Sequence, residues 1–479
     1  MKAILSAVIF GLTIFGCLEK KAAAPSRYER MVAFQLAGVN NTAYRGNIPV
    51  IENRKTGKGR TINISFIVIP SLNKATKEPP LFFIEGGPGA AASNSLNFFG
   101  NSSNPYRIDR DIVLVDARGT GQSNPLHCLA TQRTENLQQQ FQEMYPEDAV
   151  KQCYDSLSKQ ADLTQYTTIN IIKDIEEVRK WLGYEKIDLM GVSYGTRASL
   201  VYMKTFPKSI DKVVLISAVT TYAKMPKYHA SFAQHTLDMV FEDCAKDEAC
   251  KKAYPDLRTE FEQIKNRAPF KYELTGSDGK KTKIEIPWYA FHTRMRTMLY
   301  MPTGIQEIPN LIHQTWLGNL ETFVGMFSKG RSTNLFIADG LYLCVTCAED
   351  VPYIEEDQID SLTRGTFMGT YRIDQQKRAC KLWARGEIPA NYLEPVKSSI
   401  PTLIISGSFD PVTPTTMAKE IASTLSNSKL VIIPDMAHSF EGLSNEDCVD
   451  NIMIAFLKGE KNINTDCISG MKRGPYKIN

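Results

Sequence analysis

A serine stands between two glycines in the stretch "GVSYG" (191–195), where an apolar run meets a segment with helical spacing. The preceding "KIDLM" is typical of a buried strand, and the following "TRASLVYMKTF" is typical of a helix. A tight strand-to-helix turn forces its central residue into an unfavourable backbone conformation and brings its neighbours close to adjacent chain. Gly191 and Gly195 suit such a turn because they lack the Cβ atoms that would clash. The stretch therefore predicts that Ser193 is a nucleophile exposed at the end of a strand.

The same alternation of strand and helix recurs along the chain. Continuous apolar runs alternating with amphipathic segments predict an α/β fold, a mostly parallel sheet with helices on both faces. Strand signals become sparse between residues 222 and 395, which we interpret as a mainly helical cap inserted into the fold; a second independent domain is the alternative. The core is then expected in two parts, residues 41–221 and residues 396–479.

A serine hydroxyl is a poor nucleophile and needs a base and an acid to orient that base. Of the six histidines, only His438 follows the last predicted strand, in "IIPDMAHSF". Asp410 ends the preceding strand, "TLIISGSFD", which gives the chain order serine, aspartate, histidine. We expect His438 to accept the proton of Ser193 and Asp410 to orient the imidazole. Asp435, before the turn, is the alternative acid.

Two backbone N–H groups should stabilise the negative charge that develops on a substrate oxygen. The first is expected from Tyr194, directly after the nucleophile. The second should come from the glycine-rich loop "EGGPG" (85–89), where Pro88 has no N–H. Gly87 is preferred over Gly86 for this role.

The N-terminus predicts export. Lys2 is followed by the apolar run 3–16, which has the length of a signal peptide and is too short for an ordinary membrane span. Its ending, "TIFGC", is similar to the lipobox of bacterial lipoproteins, so residues 1–17 are expected to form a lipoprotein signal that ends at a lipidated Cys17. Residues 18–40 would be a tether, and the lipid would be the only contact with the membrane. Plain secretion is the alternative.

The other cysteines agree with an oxidising compartment, where disulfides are the default. Proximity in the sequence and elimination favour four pairings, namely Cys128–Cys153, Cys244–Cys250, Cys347–Cys380 and Cys448–Cys467, with Cys344 free. The sequence alone leaves the connectivity open. The "CVTC" spacing (344–347) lacks a second CxxC or a histidine at metal spacing, so neither a metal nor another cofactor is expected. The 56 basic and 52 acidic residues form no block of one sign, so nucleic acid is not an expected partner.

Five motifs together resemble one branch of a known family. They are "GGPG" (86–89), "DARGTGQS" (116–123), "GVSYG" (191–195), "GSFDPVTP" (407–414) and "AHSF" (437–440). This set resembles the prolyl aminopeptidases and tripeptidyl aminopeptidases of the α/β-hydrolase family. The resemblance implies a serine peptidase that releases residues or tripeptides from peptides with a free N-terminus, with the helical cap closing the site.

The resemblance also implies how substrate is held. Members of the branch bind the substrate ammonium with cap carboxylates, and the matching position is Glu349 in "CAED". Relatives commonly have histidine before GGPG, where this chain has Glu85, a second candidate for the ammonium. Asp116 and Arg118 are expected to brace their loop. An esterase or lipase with the same residues, or a binding lipoprotein without catalysis, are the alternative functions.

Overall fold

The computed structural model describes residues 27–38, 41–128, 136–275, 281–328 and 336–478. The predicted signal peptide and Cys17 lie outside these residues, as does much of the predicted tether. Within the described ranges, no helix is both long and apolar enough to cross a bilayer.

A mostly parallel sheet forms the centre of the described structure. Its strand order is β1-β2-β3-β5-β4-β6-β7-β10-β11, and a separate hairpin pairs β8 with β9. Strands β1 to β3 form an antiparallel edge, whereas all neighbours from β5 to β11 along the sheet are parallel. The strands are β1 Val32–Gln35, β2 Thr42–Ile51, β3 Thr61–Ile69, β4 Leu81–Ile84, β5 Ile112–Val115, β6 Ile187–Val192, β7 Ile210–Ile216, β8 Phe270–Thr275, β9 Lys281–Ile286, β10 Thr402–Gly407 and β11 Ser428–Ile433. This architecture confirms the predicted α/β fold.

Helices cover both faces of this sheet. The longer ones in the two core segments are α3 to α5, α15 and α16. The helices are α1 Leu96–Phe99, α2 Leu137–Gln140, α3 Glu147–Leu157, α4 Thr168–Leu182, α5 Tyr194–Thr205, α6 Met225–Lys246, α7 Glu248–Ala253, α8 Leu257–Arg267, α9 Trp288–Met298, α10 Pro302–Trp316, α11 Glu321–Ser328, α12 Asp339–Glu349, α13 Ile359–Thr363, α14 Tyr371–Lys381, α15 Thr415–Thr424 and α16 Asp447–Leu457.

The continuous apolar runs are strands buried on both faces. Every residue of β4, β5 and β10 is buried. Neighbouring residues point to opposite sides: Phe82 packs in the core beneath α4 and α5, and Phe83 packs in the core beneath α16. Such strands need helices on both faces, which is what the alternation of elements along the chain supplies.

The segment between β7 and β10 has a hydrophobic core of its own. Phe261, Phe291 and Phe323 lie at its centre, among side chains from α6 to α11 and the β8–β9 hairpin. Helix α12 instead packs on the main core, through residues such as Leu341 and Leu343. The hairpin was not predicted, although "FKYELT" (270–275) alternates apolar and polar residues as a half-buried strand does.

Four disulfides join the predicted pairs. They link Cys128 to Cys153, Cys244 to Cys250, Cys347 to Cys380 and Cys448 to Cys467. Cys344 is the free cysteine of the described residues, and it is buried. Each predicted pairing in this set is therefore confirmed.

The "DARGTGQS" loop is held by its own charged residues. Asp116 accepts hydrogen bonds from the backbone N–H groups of Ser93 and Gln122, at 2.9 and 3.1 Å. The fully buried Arg118 pairs with Asp174 at 2.7 and 2.8 Å. These contacts fix the loop beside the glycine-rich turn and agree with the predicted bracing role.

Candidate active site

Ser193 occupies the sharp turn between β6 and α5. Its backbone lies at φ 55° and ψ −122°, a conformation that costs energy for any residue with a side chain. The flanking glycines make the turn possible: a Cβ on Gly191 would lie 2.5 Å from the carbonyl oxygen of Gly195. A Cβ on Gly195 would lie 2.1 Å from the carbonyl oxygen of Ile84, in β4. The glycine spacing therefore has the steric origin that the sequence indicated.

A chain of hydrogen bonds runs from Ser193 through His438 to Asp410. The His438 Nε2 atom lies 2.9 Å from Ser193 Oγ. Its Nδ1 atom lies 3.0 and 2.9 Å from the two carboxylate oxygens of Asp410. Asp410 follows β10 and His438 follows β11, so the ends of three parallel strands bring these residues together. This geometry fits a nucleophile, a general base and an orienting acid.

The Asp410 carboxylate is held by more than His438. It accepts hydrogen bonds from the N–H groups of Val412 and Thr413 at 2.8 and 2.9 Å, and from the Thr413 hydroxyl at 2.7 Å. Burial alone would raise the pKa of Asp410, but the charge of His438 and these hydrogen bonds outweigh it and hold the pKa below its ordinary value. The carboxylate therefore stays ionised beside the imidazole.

Two further contacts fix the position of His438, and neither was predicted. The Ser217 hydroxyl donates to the His438 carbonyl oxygen at 2.8 Å. The ring of Tyr300 lies edge-on to the imidazole, with centroids 5.1 Å apart. Asp435, the alternative acid, takes part in the turn before His438 at φ 57°, and its carboxylate accepts from the N–H of Arg473.

The glycine-rich loop approaches Ser193 closely. A Cβ on Gly86 would lie 3.1 Å from the Ser193 Cβ. The Gly86 N–H donates to Glu85 Oε1 at 2.9 Å, and this contact favours the next glycine, Gly87, as the donor to a substrate. Tyr194 is the first residue of α5, where a backbone N–H has no acceptor within the helix. The two N–H groups chosen from the sequence thus belong to segments adjacent to Ser193.

A cavity of about 740 Å³ opens over this site. Ser193, His438, Gly87 and Glu85 line it together with further residues of the core such as Met453 of α16, and residues from α6, α9, α12 and α14 contribute the rest of the lining. The Glu85 carboxylate also accepts from the Ser95 hydroxyl at 2.9 Å. The cavity is large enough for a short peptide, and the segment between β7 and β10 contributes part of its lining.

Glu349 lies apart from this cavity. Its carboxylate is fully buried and accepts from the backbone N–H and the hydroxyl of Thr168, both at 2.7 Å, and from the hydroxyl of Tyr392. The next residue, Asp350, does line the cavity, where it pairs with Arg197 at 2.9 Å. The geometry therefore gives Glu349 a role in joining α12 to the start of α4.

The sequence matches a family model. Residues 79–440 match the model described as the alpha/beta hydrolase fold. This range includes the glycine-rich loop, Ser193, Asp410 and His438. Among solved structures, the chain resembles an α/β-hydrolase enzyme from a deep-sea metagenome library, with 14% identity, a TM-score of 0.39, and coverage of 85% of this chain and 97% of that one.

Three curated relatives are peptidases by name. The serine protease Hip1 of Mycobacterium tuberculosis is 23% identical over 414 residues, 78% of this chain and 77% of its own. A tripeptidyl aminopeptidase of Streptomyces lividans is 27% identical over 36% of this chain and 34% of its own. A proline iminopeptidase of Neisseria gonorrhoeae is 32% identical over 28% of this chain and 31% of its own. With a family match that spans most of its length and peptidases among its relatives, the chain belongs to the α/β-hydrolase family, in a group of serine hydrolases and peptidases.

Proposed function

We propose that this protein is an exported serine aminopeptidase that releases residues or tripeptides from peptides with a free N-terminus. The observation that carries the proposal is the hydrogen-bonded series Ser193, His438 and Asp410, with Ser193 and His438 lining a cavity of about 740 Å³. The names of two relatives, a tripeptidyl aminopeptidase and a proline iminopeptidase, support the choice of substrate.

Acylation begins with proton transfer from Ser193 Oγ to His438 Nε2 as the oxygen attacks the scissile carbonyl. Asp410, ionised and hydrogen-bonded to Nδ1, stabilises the imidazolium that forms. The N–H groups of Gly87 and Tyr194 donate to the oxyanion, and the N-terminal end of α5 adds a favourable dipole. The intermediate then collapses, His438 returns the proton to the leaving amine, and an ester with Ser193 remains.

Deacylation repeats these steps with water as the nucleophile. His438 accepts a proton from the water molecule as its oxygen attacks the ester, and the same two N–H groups stabilise the second oxyanion. Collapse of that intermediate returns the proton to Ser193 Oγ and releases the carboxylic acid. No metal or organic cofactor is needed for either half of the reaction.

The substrate ammonium is proposed to bind beside Glu85. This carboxylate lines the cavity next to the loop that carries Gly87, and it is partly accessible. An ammonium there would lie near the reacting carbonyl, as the release of a single residue needs. Glu85→Gln should raise the KM for substrates with a free amino terminus and leave acetylated substrates unaffected.

Export is supported by the four disulfides, which are typical of oxidising compartments. We propose lipidation at Cys17 as the anchor. Expression of the full chain with a radiolabelled fatty acid tests this: label should be incorporated into the parent protein and lost in Cys17→Ser. If neither the parent nor Cys17→Ser incorporated the label, Cys17 would not be lipidated, and secretion without a lipid anchor would be the remaining interpretation.

The function is tested with two classes of substrate, anilides of amino acids or tripeptides and short-chain esters. The protein should hydrolyse alanyl, prolyl or tripeptidyl anilides, and a fluorophosphonate probe should label Ser193 and block turnover. Ser193→Ala should lose both activities while it keeps the parent's melting temperature. Cleavage of short-chain p-nitrophenyl esters alone would identify an esterase, and no reaction with the probe would favour a binding protein.

A further inference from the structure

The cap side of the cavity carries a pair of arginines. Arg296 extends from α9 and Arg372 from α14, and both line the cavity that contains Ser193 and His438. His229, from α6, lies with them on the same wall. These three residues are not used by the proposed reaction.

Neither guanidinium has a carboxylate partner within ion-pair distance among the residues that the structure describes. The Nε and Nη2 atoms of Arg296 are buried without a hydrogen-bond acceptor, and its guanidinium lies 5.1 Å from the ring centre of Tyr300. Arg372 donates to the Tyr342 hydroxyl at 2.6 Å and to the Met144 sulfur, but its Nε is also buried without an acceptor. Buried N–H groups of a cation that lack an acceptor cost free energy, so both guanidinium groups would be stabilised by a ligand that supplies acceptor atoms.

The other charges that line the cavity do not neutralise this pair. Asp350 is paired with Arg197 at 2.9 Å, and Asp450 accepts from the Tyr106 hydroxyl at 2.6 Å. Glu85 is hydrogen-bonded within its own loop, and Glu441 is exposed to solvent. Burial, followed by the charges of Arg296 and Arg372, lowers the pKa of His229 well below its ordinary value, so this imidazole is neutral and adds no charge of its own.

We propose that Arg296 and Arg372 form a subsite that binds a carboxylate of the substrate, an inference that rests on the proposed peptidase function. Guanidinium groups bind carboxylates through paired, charge-assisted hydrogen bonds, and the cavity wall supplies two such groups without competing acids. A substrate ammonium would be repelled from this wall.

The position of the subsite places the carboxylate near the scissile bond. The Arg296 guanidinium lies 5.1 Å from the centre of the Tyr300 ring, and the same ring packs against His438, with centroids 5.1 Å apart. The guanidinium and the general base therefore contact the same aromatic ring. The carboxylate has two possible sources in a peptide, an aspartate or glutamate side chain close to the cleavage point or the C-terminus of a short peptide.

Two matched substrate pairs distinguish these sources. The first compares Ala-Ala-Glu p-nitroanilide with its Gln counterpart, and the second compares tetra-alanine with its C-terminal amide. The parent protein should prefer the carboxylate-containing member of at least one pair by about 10- to 100-fold in kcat/KM. Equal rates for both members of both pairs would overturn the subsite and leave the peptidase function standing. Failure to cleave any peptide or to react with the fluorophosphonate probe would overturn both.

Variants of the pair identify the residues responsible. Arg296→Gln and Arg372→Gln should each reduce the preference with little change for the neutral substrates, whereas Arg296→Lys should keep most of it. Arg294→Gln is the matched control, because Arg294 is on the same helix but lines a different cavity beside Phe327. Equal losses of kcat/KM on acidic and neutral substrates would overturn the proposal. The comparison of substrate pairs with the parent protein does not depend on whether a variant folds.

Discussion

The ring of Tyr300 lies edge-on against the imidazole of His438, with an interplanar angle of 73°. The backbone of the same residue is joined to the same loop, because the Ser439 N–H donates to the Tyr300 carbonyl oxygen at 3.1 Å. Tyr300 follows α9, in the segment between β7 and β10, so this segment helps to hold the histidine loop as well as lining the cavity. Movement of this segment should therefore alter the position of the histidine loop.

Replacement of Tyr300 tests that coupling. Tyr300→Leu removes the aromatic edge and lets the imidazole adopt other orientations, so we expect kcat to fall by about 10- to 100-fold. Tyr300→Phe keeps the ring and should retain most of the activity. Steady-state kinetics with a neutral anilide, together with thermal melting, check this. Equal activity of the Leu and Phe variants would show that the ring does not position His438.

Thr413 should act through Asp410. Thr413→Val removes the hydroxyl that donates to the carboxylate at 2.7 Å, and Thr413→Ser keeps that hydroxyl. Because this hydrogen bond contributes to the lowered pKa of Asp410, its loss should raise that pKa and move the acid limb of kcat/KM to higher pH. We expect kcat to fall by about 10-fold in the Val variant. An unchanged pH profile in Thr413→Val, or the same change in Thr413→Ser, would contradict this positioning role.

The elements that carry Ser193, Asp410 and His438 could be predicted because each has a local physical signature. Buried parallel strands are apolar throughout, and the nucleophile turn needs glycine at fixed positions for steric reasons that the structure reproduces at Gly191 and Gly195. A histidine and an acid each follow a late strand, so their order along the chain was enough to select them.

The walls of the cavity could not be predicted in the same way. Glu349 and Asp350 are adjacent in sequence, yet Glu349 faces Thr168 and Asp350 faces the cavity. Their directions depend on how α12 packs against α4, and Thr168 is 181 positions from Glu349. Tyr300 likewise has no local signature, since its importance comes from contact with the His438 loop, far away in the sequence.

Glu349 is expected to stabilise the fold. Glu349→Ala would leave the N–H and hydroxyl of Thr168 and the hydroxyl of Tyr392 buried without their acceptor. We expect a loss of about 2–4 kcal/mol in the free energy of unfolding, with equal effects on free and acetylated substrates. Urea denaturation and paired kinetics measure both. If Glu349→Ala were as stable as the parent but lost activity only toward substrates with a free amino group, Glu349 would instead bind the substrate ammonium.

Gly195 tests the steric origin of the nucleophile turn. The Cβ introduced by Gly195→Ala would lie 2.1 Å from the Ile84 carbonyl oxygen, so β4 and α5 would have to separate. We expect a loss of about 1–3 kcal/mol in the free energy of unfolding and a large loss of kcat, because Ser193 would shift. The control is Gly470→Ala, where a Cβ meets no heavy atom within 4 Å. Normal stability and activity in Gly195→Ala would refute the steric explanation.

The contact between Glu355 and Lys227 should make stability depend on pH. Lys227, only 2% exposed in its side chain, donates to Glu355 at 2.7 Å and to Gln358 at 2.6 Å, which fastens the start of α6. The hydrogen bond from Lys227, opposed by partial burial and aided by Lys224, lowers the pKa of Glu355 to about 2. A lowered carboxyl pKa stabilises the fold above the ordinary value of 4.5, and this stabilisation is lost as the pH falls toward 2.

Because the Glu355 side chain is 41% exposed, solvent screens this ion pair, and Glu355→Gln should be less stable than the parent by about 1 kcal/mol at pH 7. This difference should shrink between pH 4.5 and pH 3. Urea denaturation at several pH values measures it. The neighbouring Glu356→Gln is the matched control, because Glu356 pairs with Lys377 while its side chain is 77% exposed, and its effect should stay within about 0.5 kcal/mol at every pH. A Glu355→Gln difference that does not change with pH would show that the lost stability comes from packing, since only an ionised carboxylate gives the predicted decline.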